Sequence, residues 1–341
     1  MNASPAAYAP SWVDRLFDRI EALPGPTWIT YALAGLLVDV MVNAAAWADG
    51  YVPVGTFDPL VNSLAVYVVV DFAAIHYLDA AAGRAWPTFR TAVEVADLEA
   101  ERIAYELTTM PAGPALGASI AGALGAIVYF IGQYGAPFDL ARPLILVAAA
   151  AISTVSFAGA GVFVYHTIRQ LRLISRLHGY VTSVDLLDLE PLHGFAGVTA
   201  ATGVILLGIV YLSAATDPAT FSNPALLTFL VAVVALSVAC FVVPLYGIHV
   251  RIVAEKSLRL AAAGRRLDLA LRDLHQRADQ NDLREADAVN KHLSSLLAER
   301  DMLRRIATWP WAPETVRGFA TALVLPVVLW LSVRVLERVI G

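Results

Sequence analysis

The order of the apolar runs constrains this chain most. Six membrane-length segments come first, then about sixty largely polar residues with helical heptad spacing, then a seventh apolar segment at the C-terminal end. A helix of about 20 apolar residues crosses the roughly 30 Å of hydrocarbon in a bilayer. By that measure the spans are 27–47, 60–77, 115–134, 143–165, 195–214, 225–250 and 316–333. Strand alternation is absent and the runs are rich in Ala, Leu and Gly, so closed barrels, the other structure lipid tolerates, are not expected. The expected fold is all-α: a polytopic membrane protein of seven transmembrane helices, with cytoplasmic helical extensions and a helical hairpin before the last span. Composition agrees, with 58% apolar and 16% charged residues against roughly a quarter charged in soluble domains.

The charged residues orient the spans. Of the 24 Lys and Arg residues, 21 fall on the side of the N-terminus and the even-numbered loops. The positive-inside rule then places the N-terminus in the cytoplasm and Gly341 outside, in the cell membrane. The net charge of −5 lacks the clustered cationic face that nucleic acid requires. Cys240, the one cysteine, rules out disulfide frameworks and cysteine-based metal sites. No basic n-region precedes a cleavable apolar core, so the first span is expected to stay in place.

Four regions follow. Residues 1–26 form a cytoplasmic amphipathic helix, with Ser11 as N-cap and Trp12, Leu16, Ile20 and Leu23 on one face. It either lies in the headgroup plane or packs on the bundle. Residues 27–250 form a six-span bundle with cytoplasmic helical loops at 83–114 and 166–194. A helix is expected over 91–110, and the fourth span should run on for about ten residues beyond 165, carrying Arg169, Arg172 and Arg176. Residues 251–308 form the hairpin. Leu260, Leu267 and Leu274 make one seam, and Val289, Leu296 and Leu303 a second. Turn-forming residues at 278–282 separate them, and the exposed seams are expected to drive assembly. Residues 309–341 hold the interfacial Trp309-Pro310-Trp311 and the seventh span.

No Gly-rich strand-to-helix turn, Walker sequence, His-Glu-x-x-His or paired Cys is present, so neither an enzyme nor a cofactor is expected. The remaining candidates are polar residues in apolar spans, which face protein or water because lipid penalises them. Asp39 and Asn43 share a small, polar face of the first span, and Asp71 lies in the second. The two carboxylates are expected at similar depth, as an ion or proton site or as plain hydrogen-bond acceptors. His76 and Asp79, three apart, offer a pH-sensitive pair or a helix-end interaction. His178, Asp185, Asp188, Glu190 and His193 match metal-ligand types but no known spacing, so no metal site is expected. Gly117, Ala121 and Gly125, with Gly122 and Ala126 beside them, predict a close helix approach. That face continues to Tyr129 and Gln133, where an external pocket could form. In the last span, Thr321, Leu325, Val328 and Ser332 share a face, followed by Arg334 and Arg338. Lining a pore, that face would gate by dewetting.

This plan resembles the insect odorant and gustatory receptor superfamily of ion channels. The resemblance rests on seven spans, a cytoplasmic N-terminus, inward-extending helices and a large cytoplasmic insertion before the last span. It implies four subunits associating through 251–308, a pore lined by 316–333 and a small-molecule ligand among the spans. The family's Thr-Tyr and Gln-Phe signature is absent from 319–333, so no pore residue carries over, and Arg334 and Arg338 give a cationic outer mouth. The function expected is a ligand-responsive, homo-oligomeric channel in the lipid bilayer. The alternatives are a secondary transporter using intramembrane carboxylates, or a sensor or scaffold docking a partner on the hairpin.

Overall fold

A computed structural model describes residues 7–134, 142–181, 184–216, 224–280 and 286–340. The chain is all-helical, with 84% of residues in helix and no strand among the described residues. Among the described residues, five helices are long and apolar enough to cross a membrane.

Helix α1 (Trp12–Glu21) starts at a capping box in which Ser11 and Asp14 satisfy each other's backbone N–H groups. Its apolar face packs inward, with Val13 and Phe17 buried and Leu16 and Ile20 against the same core. Of the two placements open in the sequence, the structure adopts packing on the bundle. The Met110 N–H donates to Asp14 at 3.1 Å, Trp12 donates to Ser119 at 3.0 Å, and Tyr8 donates to the Thr109 carbonyl at 2.7 Å. Burial holds the Tyr8 hydroxyl above the usual tyrosine range, opposed by Arg169, which donates to its oxygen.

Helix α2 (Thr27–Ala48) runs antiparallel to α3 (Pro59–Arg90), which opens with Asp58 as N-cap and Pro59 in the first turn. Helix α3 runs past the 60–77 span to Arg90, with Pro87 inside it. A turn at 91–93 follows, and α4 (Asp97–Thr108) starts later than the expected residue 91. Helix α5 (Ala112–Tyr134) precedes α6 (Pro143–Leu177), which extends twelve residues beyond Tyr165. A 3₁₀ turn, His178–Tyr180, and the short α7 (Glu190–His193) lead to α8 (Ala196–Thr216).

Helix α9 (Pro224–Asp279) is continuous over 56 residues despite Pro244, about 84 Å at 1.5 Å per residue. Helix α10 (Ala286–Arg305) returns along it: Arg266 pairs with Glu299 at 3.1 Å, and Lys256 donates to the carbonyls of Arg304 and Ile306 at 2.8 and 2.6 Å. Leu267, Leu296 and Leu303 are buried within the chain, and Leu260, Leu274 and Val289 are half-buried beside them. Within one chain the two arms lie against each other and rest on the main core through Ala263 and Leu303. Helix α11 (Pro313–Ile340) closes the chain.

Candidate functional site

The register of α2 on α3 is set by Asn43 donating to Asn62 at 3.0 Å and by Tyr31 within 3.0 Å of His76. The two carboxylates face different neighbours. Asp39 is half-buried and accepts from Asn43 at 3.2 Å. Asp71 is buried against α6, where Gly159 makes room: a Cβ there would lie 3.5 Å from Asp71 and 3.2 Å from the Phe72 ring. No hydrogen bond to Asp71 is formed among the described residues. Tyr67, its neighbour one turn away, bonds Ser213 at 2.9 Å instead.

His76 and Asp79 do not pair. His76 stacks on Phe17 at 4.7 Å and meets Glu21 at 2.9 Å, whereas Asp79 turns into the α3–α6 interface and meets His166 at 2.7 Å. Three residues apart on a helix are only about 60° apart around it, so the two side chains part because of what packs on each: α1 and α2 at His76, α6 at Asp79. Gln170, one turn beyond His166, donates to the Leu107 carbonyl at 3.1 Å. His166 and Gln170 are each 1% exposed and Asp79 is 7% exposed. Among the described residues, the buried atoms His166 Nδ1, Asp79 Oδ2 and Gln170 Oε1 have no partner, an omission that costs about 1–3 kcal/mol per group.

Sequence reading missed His166 and Gln170 because the apolar run ends at Tyr165, which left both in a presumed extension. Their signal is spacing: Gly159, His166 and Gln170 fall on one stripe of α6, the stripe that meets α3. In the fourth loop, His178 packs among Phe89 and Phe195, and Asp185 caps Leu187. Among the described residues, no three metal-ligating side chains converge.

Helix α11 has two unlike faces. Phe319 stacks on Phe241 at 4.2 Å and fits over Gly203, where a Cβ would lie 2.6 Å from its ring. Tyr211 donates to the Ala322 carbonyl. Opposite, Thr321, Val324, Leu325 and Val328 are exposed. The stack continues outward from Phe241 to Trp311 at 4.5 Å, to Trp309 at 4.6 Å and to His249 at 3.8 Å. A column of five parallel rings thus joins the foot of the hairpin to α11. An apolar groove of about 810 Å³ lies between α3, α8 and α11, lined by Tyr77, Val204, Gly208, Thr315, Gly318 and Phe319 among others. The side chains of Tyr129, Gln133, Ser332 and Arg334 lie outside the described residues.

No family model, curated protein or solved structure matches this chain.

Proposed function

We propose that the protein is a ligand-responsive ion channel assembled from several copies of the chain in the cell membrane. In this reading α2, α3, α5, α6, α8, the first half of α9 and α11 span the bilayer. The N-terminus is cytoplasmic and the C-terminus external, following the 21-to-3 division of Lys and Arg. The hairpin of α9 and α10 lies in the cytoplasm and mediates assembly. Copies of α11 line the ion path, with Thr321, Leu325 and Val328 toward it and Arg334 at the outer mouth.

The observation that carries this reading is the two-faced α11. One face is locked to α8 and α9 through Phe319, while Thr321, Val324 and Leu325 on the other are exposed among the described residues. The aromatic column supplies a mechanical link, because a shift of the hairpin moves Trp309 and Trp311 against Phe241 and so against α11. The groove beside Phe319 gives a small apolar ligand a place from which to bias the same helix.

The test is ion flux in liposomes. Val328→Ser should raise basal conductance by wetting an apolar constriction, and Arg334→Glu should shift selectivity toward cations. The reading fails if the wild type and both variants conduct no better than empty liposomes over a range of voltage and pH. A second reading, transport coupled to an intramembrane carboxylate, is favoured by the burial of Asp71 without a hydrogen-bond partner among the described residues. Solute uptake abolished by Asp71→Asn, in the absence of current, would select it.

A further inference from the structure

The junction of α3, α4 and α6 contains more hydrogen-bonding capacity than its side chains use. His166 Nε2 and Asp79 Oδ1 are 2.7 Å apart. The Gln170 amide donates to the Leu107 carbonyl at 3.1 Å, with Asp79 Oδ1 and the Leu78 carbonyl both at 3.5 Å. Left over are His166 Nδ1, Asp79 Oδ2 and Gln170 Oε1, all buried and all without a partner among the described residues. Each belongs to a side chain of a residue more than nine-tenths buried.

The charges around this junction are committed elsewhere. Asp14 on α1 accepts from the Met110 and Ser11 N–H groups. His76 on α3 meets Glu21 and Tyr31, and Arg169 on α6 turns to the Tyr8 hydroxyl and ring. Among the described residues, no Lys or Arg pairs with Asp79, so His166 is the base within its reach.

Counting protons then separates the states. With Asp79 ionised and His166 neutral, the three leftover atoms are all acceptors and the site carries an unbalanced negative charge in a dry interior. One proton added to the ring makes Nδ1–H a donor and brings the charge of the pair to zero. We propose that Asp79, His166 and Gln170 form an internal proton-binding site whose proton resides on the His166–Asp79 pair at neutral pH. The site is independent of whether the protein conducts ions. Its occupancy bears on how α3, α4 and α6 cohere, since all three contribute to it.

Nitrogen-15 labelling of the histidine rings in the full chain, purified in detergent micelles, reads the site directly. Of the seven histidines, one should remain protonated on both ring nitrogens at about pH 8, where an ordinary imidazole, with a pKa of about 6.5, is neutral. That signal should vanish in His166→Gln. In Asp79→Asn it should lose its proton at least about tenfold more readily, a downward shift of about one pH unit. His76→Gln, which alters the pair with Glu21, should leave the signal in place and so excludes His76, and the response to Asp79→Asn assigns it to the ring beside Asp79 should the His166 variant fail to fold. Seven neutral rings at about pH 8 in the wild type overturn the proposal, as does loss of the persistent signal in His76→Gln.

Discussion

The carbonyl oxygen of Phe157 occupies the place where a side chain on Gly122 would begin, 2.0 Å from an ideal Cβ. The approach is reciprocal, because a Cβ on Gly161 would lie 2.3 Å from the Ala118 carbonyl. Helices α5 and α6 therefore touch backbone to backbone, the contact that small residues four apart permit. The stripe expected from Gly117, Ala121 and Gly125 is not the one used. Gly117 has open space around it and Gly125 meets only the Phe157 ring, at 3.7 Å, so the contact runs along Ala118, Gly122 and Ala126.

Gly122→Ala should destabilise the protein by about 1–3 kcal/mol, since a backbone carbonyl cannot rotate aside as a side chain can. Gly117→Ala should be neutral or slightly stabilising, because Ala is the better helix former. Thermal unfolding of the purified proteins checks both, and equal melting temperatures for the two variants would remove the close approach from consideration.

Asp14 does two jobs, completing the cap of α1 and accepting from the Met110 N–H at the start of α5. Asp14→Ala should leave that buried N–H without a partner at a cost of about 1–3 kcal/mol. Residues before Pro26 should then become protease-sensitive first. Asp14→Asn, which keeps an oxygen, should recover part of the loss, and Asp18→Ala on the exposed face should change nothing measurable.

The hairpin separates stability from assembly. Leu267 is buried between α9 and α10, whereas Leu258 and Leu269 are 65% and 66% exposed, and eleven residues, about three turns, place them on one stripe. Leu267→Lys should lower the melting temperature. The pair Leu258→Lys and Leu269→Lys should instead lower the oligomer mass at unchanged melting temperature. A wild type that is already monomeric by light scattering in detergent removes this interface.

Trp309 sits between His249 and Trp311 in the ring column. Trp309→Ala should cost about 1–3 kcal/mol, from two stacked pairs at about 0.5–1.5 kcal/mol each. Amide exchange should accelerate around residues 306–316 and stay unchanged in α5 and α6. Uniform acceleration would mean that the column is ordinary packing and carries no local coupling.

What the sequence determined by itself was the class of element. Apolar runs of membrane length, without strand alternation, leave the helix as the way for the backbone to satisfy its own polar groups, and 84% of residues are helical with no strand among the described residues. Local signals also placed several ends, such as Ser11 opening α1 and Pro143 opening α6. Tertiary structure decided which faces meet. Asp79 pairs with His166, 87 positions away, instead of with His76 three positions away, because α3 presents the two residues to different neighbours. Gly122 rather than Gly117 receives the opposing backbone, because the crossing point of α5 and α6 depends on both helices and their loops. Leu267 and Leu296 are buried within one chain, because α10 returns along α9. Periodicity within one segment names a face; what that face meets is a property of the assembled helices.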